Sequence, residues 1–170
     1  MAGRKRSKAG GSVGTARLGT PIPSRRLSGF IAKYAPEIAT LAKAVLAKMR
    51  KRLPGAVELV YDNYNALAIG FGPSERASEA IFSIALFPRW VSLFFLQAAN
   101  LQDPEQLLKG SGKRARHIVL GNACTLDEPS VQALIGQAVR TAAVPIDANG
   151  QGRLVIKSVS EKQRPRRPAK

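Results

Sequence analysis

Between residues 56 and 97 the chain passes through four short apolar stretches, AVELVY (56–61), NALAIGFG (65–72), AIFSIALF (80–87) and WVSLFFLQ (90–97). Each is rich in β-branched or aromatic residues and is bounded by turn formers, the pattern of a strand. Asp62-Asn63 separates the first two, Gly72-Pro73-Ser74 opens the second gap, and Pro88-Arg89 makes the third. A parallel return needs about a dozen residues or more, so joins this short demand antiparallel neighbours. RHIVL (116–120) predicts a fifth strand, and GRLVIKSVS (152–160) a late edge strand.

A sheet with one strongly apolar face has to be covered, and two helical patterns are available to do it. Ser28 stands as a cap ahead of Phe30, Ile31 and Tyr34, and Pro36-Glu37 suits a first helical turn. Ile38, Leu41, Ala42, Val45, Met49 and Leu53 then recur at spacings of three and four, until Pro54-Gly55 stops the run. Asp103-Pro104 predicts a brief helical turn through Leu108. Asp127 or Ser130 opens another helix with Val131, Leu134, Ile135, Ala138 and Val139 on one side. The expected fold is α+β: a single two-layer domain, an antiparallel sheet of about five strands covered by two or more helices. At 170 residues there is room for one such domain. Residues 1–27 are expected to be a disordered basic arm, 28–141 the α+β domain, and 142–170 a basic C-terminal extension holding the edge strand.

The net charge of +16 sits mostly at the two ends. Residues 1–29 hold seven Lys/Arg and no acid, and residues 151–170 hold seven more against Glu161 alone. Such tails predict weak, sequence-independent nucleic-acid contact through phosphates. They lack aromatic residues on which bases would stack. One cysteine permits no internal disulfide, and one histidine beside it cannot complete a cysteine/histidine zinc cage. No apolar run approaches the roughly 18 residues of a membrane span. The basic N-terminus leads into Gly, Ser and Thr rather than an apolar core, so it does not read as a secretory signal. Its acid-free composition overlaps that of transit peptides, but a plain basic arm has the same composition. A cytoplasmic protein without membrane contact is expected.

Two constellations invite a chemical reading. GSGKR (110–114) resembles the end of a phosphate loop, but Leu107 stands where the earlier glycine belongs and Arg114 where Ser or Thr would hold magnesium. It also leads into a strand rather than a helix. What remains is a glycine-permitted turn whose Lys113, Arg114 and Arg116, with His117 behind them, form a candidate rim for an anion or ligand. The second constellation is Tyr61, Asp62, Asn63 and Tyr64 at a hairpin, with Trp90 and Phe94 as the wall of a candidate pocket. His117 reads as a hydrogen-bonded structural histidine, and Cys124 as a small packed side chain. No catalytic set and no metal-ligand spacing stands out, so the reading leans away from an enzyme, and no cofactor is expected.

The succession of a helix, PGAVELVYDNYN, LAIGF, a meander, LQDPEQLLKGSGKRARHIVL and LDEPSVQALIGQAV resembles the YdhG-like family of bacterial domains of unknown function, over roughly residues 28 to 141. The most specific part is the placing of Asp103, Pro104, Leu107, Leu108, Gly110, Gly112, Lys113 and Arg116. The resemblance implies a small layered fold with an antiparallel sheet flanked by helices. One branch of the family is described as a frataxin-like iron chaperone, which would hold iron on a ridge of exposed carboxylates. Here the long helix has Glu37 as its only acid and ends in Lys48, Arg50, Lys51 and Arg52. The expected function is therefore non-enzymatic binding of a small molecule or protein at the hairpin and the GSGKR rim. Iron delivery, by resemblance alone, and nucleic-acid contact through the tails are the alternatives.

Overall fold

The computed structural model describes residues 21–170. Helices α1 (Ile22–Ala32) and α2 (Pro36–Arg52) come first, followed by strands β1 (Val57–Asp62), β2 (Leu67–Gly72), β3 (Phe82–Leu86), β4 (Val91–Phe95) and β5 (Arg116–Leu120). Helix α3 (Pro129–Arg140) and strand β6 (Leu154–Val159) complete the chain. One six-stranded sheet runs in the order β5-β4-β3-β2-β1-β6. The fold is α+β with two layers. Every neighbouring pair from β1 to β5 is antiparallel, as the short joins require from β1 to β4, while β6 lies parallel to β1. β6 is the edge strand expected within 152–160, a sixth beside the core five, and its long return through α3 is what allows a parallel neighbour.

Two expectations near the ends of elements need correction. Helix α1 begins at Ile22 with a proline in its first turn, and Ser28 lies exposed in its middle rather than at its cap. Residues 22–27, assigned to the arm, are thus helical, with Leu27 and Ile31 buried. The rest of that arm, residues 1–20, lies outside the described residues. The Asp103-Pro104 segment is not helical either. Its carboxylate accepts from the backbone N–H of Leu107 and of Leu108, both at 2.9 Å, and Gln106 takes a φ of 52°. An Asx-type turn has replaced the helical one.

Strand alternation sorts the sheet into two unlike faces. Val60, Leu67, Ile69, Phe71, Phe82, Ile84, Leu86, Leu93, Phe95 and Ile118 share one core with Leu27 and Ile31 of α1, Val45 and Met49 of α2, and Leu134 and Ile135 of α3. The other face carries Leu59, Tyr61, Ala68, Gly70, Ser83, Ala85, Ser92, Phe94, His117 and Val119, and among the described residues all three helices bury their apolar sides in the core opposite. Among the described residues the β2–β3 connection reaches over one edge of it. Arg153 Nε donates to Glu75 at 3.0 Å, and Lys157 Nζ donates to the Glu75 carbonyl at 3.2 Å. Both lie beyond β1, so this loop shelters Val57 and Leu59.

Gly55, just after α2, has a φ of 82°, and a Cβ there would collide with the Asp147 carbonyl oxygen. Gly55→Ala is therefore expected to cost about 1–3 kcal/mol from backbone strain alone, plus displacement of the 147–150 turn. Urea unfolding checks this; an unchanged midpoint would mean that the turn simply yields.

Candidate functional site

The open face carries aromatic pairs where most exposed sheets carry charge. Phe94 and His117 are direct cross-strand partners, and their rings stack with centroids 5.1 Å apart. The Phe87 N–H donates to the Trp90 carbonyl at 2.9 Å, which extends the β3–β4 ladder by one pair beyond Leu86 and Val91. Phe87 and Trp90 thus point to the same face as Ala85 and Ser92, and their rings stack at 4.8 Å. Trp90 is 43% exposed. The residues between the two pairs are small (Ala68, Gly70, Ser83, Ala85 and Ser92), so the aromatic rings stand above a low floor. The His117 ring is thus packed on Phe94 as part of the sheet face.

Cations stand at both ends of the strands. At the Phe95/Arg116 end is the GSGKR turn, closed by a bridge between Lys109 and His117. Arg116 Nε donates to the Gly112 carbonyl at 2.6 Å, and its guanidinium also donates to the Gly110 carbonyl. Gly110 has a φ of 108° and lies against the His117 ring. Arg116 therefore uses Nε and one further N–H to hold its own turn together. Lys113 and Arg114 are exposed and have no side-chain partner among the described residues.

At the opposite end the C-terminal segment crosses the turns. Its backbone is anchored by Ser160 N–H to the Asp62 carbonyl and Arg164 N–H to the Tyr64 carbonyl, both 2.9 Å. A cleft of about 600 Å³ opens there, lined by Asn65, Phe87, Arg89, Trp90, Arg164 and Arg167 among others. The Arg164 guanidinium lies 5.5 Å from the centre of the exposed Tyr64 ring. Cation–π contacts of this kind leave most of the guanidinium's hydrogen-bonding capacity outward.

Asp62, expected in the pocket, has a different role. It is fully buried on the helix side, paired with Arg166 at 2.8 Å and with Lys33 at 3.0 Å. Arg166 is 5% exposed and also donates to the carbonyls of Asn63 and Tyr64. Burial pushes the Asp62 carboxyl up, but Gln163, Lys33 and Arg166 together outweigh it and hold the group below the ordinary carboxylate value. Tyr34 closes the arrangement: its hydroxyl donates to the Leu86 carbonyl at 2.9 Å and accepts from Leu67 N–H at 3.1 Å. Burial raises its pKa. This cluster fastens the C-terminal segment to α1 and to the strand ends.

The expected pocket is thus divided. Tyr64 and Trp90 are exposed at the cleft end, Tyr61 lies on the open face with its hydroxyl buried and unpartnered, and Asn63 supplies a carbonyl to Arg166. The rim and the hairpin do not meet. They lie at opposite ends of the strands, and Tyr61 and His117 are four strands apart, about 19 Å at ordinary strand spacing. Composition missed Phe87, Arg89, Arg164 and Arg167, because only the fold brings the tail to the β3–β4 turn. Cys124, expected to be packed, is exposed in a short 3-10 turn.

Among the described residues no three His, Cys, Asp or Glu side chains come together as a metal would need. Glu58 is bound by Arg50, Asp127 by Lys48 and Arg52, and Glu75 by Arg153. No described helix is long and apolar enough to cross a membrane. Fold and face together define a two-layer α+β domain with one helix-covered face and one open aromatic face. No family model, curated protein or solved structure matches the chain.

Proposed function

We propose that the chain is a non-enzymatic binding protein that takes single-stranded nucleic acid across the open sheet face without reading its sequence. The observation that carries this is the pair of stacked aromatic couples, Phe87–Trp90 and Phe94–His117, on a face that no described helix covers, between two groups of cations. Unpaired bases stack on such rings, while Lys113 and Arg114 at one end and Arg89, Arg164 and Arg167 at the other reach the backbone phosphates. A cytoplasmic location goes with this reading.

Trp90 is the only tryptophan, so it reports its own contact. A single-stranded oligonucleotide is expected to quench its emission at low salt, with quenching lost as salt rises. Absence of any quenching at low ionic strength would remove the open face from consideration.

Membership of the YdhG-like family is also proposed. Its support is that Asp103, Pro104, Leu107 and Leu108 have a joint physical task, the carboxylate-capped turn that carries the chain into the GSGKR loop. Nothing favours iron delivery here, since among the described residues no three carboxylates, histidines or cysteines gather, and Glu58, Asp62, Glu75 and Asp127 are engaged by Lys or Arg.

A further inference from the structure

On the helix side, away from the aromatic face, a cleft of about 690 Å³ opens between α1, the end of α2, and the starts of β1 and β6. That volume is within the roughly 300–1,000 Å³ of sites that take small molecules. We propose that it is a second ligand site, for a small amphipathic anion with an apolar body and a single carboxylate.

The apolar lining a ligand can reach is Pro23, Pro54 and Leu154, lying over a buried base of Leu27, Leu46 and Phe71, and it suits a hydrocarbon or aromatic body. The mouth selects the charge. Glu58 is the only acid among the lining residues, and the Arg50 guanidinium closes on both of its oxygens at 2.8–3.1 Å. Arg153 is held by Glu75. Lys43 remains exposed, with no side-chain partner among the described residues. One free cation beside an apolar floor favours one negative charge, and a cationic head would meet Lys43, Arg50 and Arg153 together. Ser24 and Ser28, one helical turn apart on α1, place two hydroxyls at the same mouth for the second carboxylate oxygen. The cleft lies on the helix side of the sheet, so this site is independent of the open face.

The test titrates octanoate, octanol and octylamine into the full chain, followed by amide chemical shifts. Octanoate is expected to shift residues of α1 and α2 with a Kd of about 1 mM or below, and octylamine to bind at least about tenfold more weakly. Lys43→Glu, at an exposed position, is expected to weaken octanoate about tenfold with thermal stability unchanged. Ser28→Trp, also exposed, is expected to obstruct the mouth and abolish the shifts. Equal affinity for the three probes, no shift up to about 5 mM octanoate, or an unaffected Lys43→Glu variant would each overturn the proposal. So would binding that emerges only after residues 1–20 are removed, because the chain's own leader would then be the occupant.

Discussion

Asp62→Leu is expected to destabilise the protein by about 3–5 kcal/mol, the usual cost of removing one partner from a buried charge pair. The variant leaves Arg166, 5% exposed, without its counter-charge and releases Lys33 as well. Arg166→Met should cost less, since Lys33 still answers the Asp62 carboxylate at 3.0 Å and Met fills much of the vacated volume. The double variant should cost less than the sum of the two, because neither charge is then stranded. One feature favours a mild double variant: Arg166 Nε is buried without a partner, so the native network already carries an unsatisfied donor. Urea unfolding of the three variants decides it. A loss below about 1 kcal/mol in Asp62→Leu would mean that the tail is held by its backbone contacts instead.

The same group sets an acid response. The folded carboxyl titrates below its ordinary value, so its contribution is complete above about pH 4, the unfolded value. That contribution is lost as pH falls further, through the lower folded value. The thermal midpoint is expected to drop in this acid window and to drop less steeply in Asp62→Leu. Asp127 is also held low by Lys48 and Arg52, but it is exposed and its pairs add little.

The buried role of Asp62 is invisible to local sequence. In the sequence it opens an Asp-Asn turn, where a carboxylate needs no distant partner. Its partner lies 104 residues away in a Pro/Arg run whose composition reads as solvated. Local patterns carry no information about such a pair. The meander, by contrast, was legible because a period of two and very short joins leave few alternatives. Ser83, Ala85, Ser92 and Phe94 lie together opposite the apolar set, and nothing in their own pattern says whether a helix lies over them. Helix α1 was placed late because Pro21 and Pro23 border the basic run, and Ser28 looked like the stronger cap. Arg116 reads in sequence as one more rim cation, and only the geometry shows it bonded to Gly110 and Gly112.

Trp90→Ala and Phe94→Ala should each weaken binding of a single-stranded oligonucleotide by about 1–3 kcal/mol, roughly 5- to 150-fold, the value of one base stacked on one ring. Phe94 is the cleaner test. It is half-buried, its removal leaves the core face intact, and among the described residues its ring partner is His117. The cations answer a different question. Each phosphate neutralised on a single strand contributes about −0.7 to the slope of log K against log salt. Lys113→Ala with Arg114→Ala should therefore flatten that slope by about 1.4 while leaving the quenching of Trp90 in place. Arg116 must be left intact, because its loss would open the turn that presents the other two. Deleting residues 151–170 is no test of charge, since it removes β6 and the buried Arg166 along with the cations. If the aromatic variants bound as tightly as the parent while the charge variants lost their share of the slope, the nucleic acid would be held by the cations alone. The open face would then need another occupant. Loss in both sets, with the two effects adding, is the outcome that a strand lying across the sheet requires.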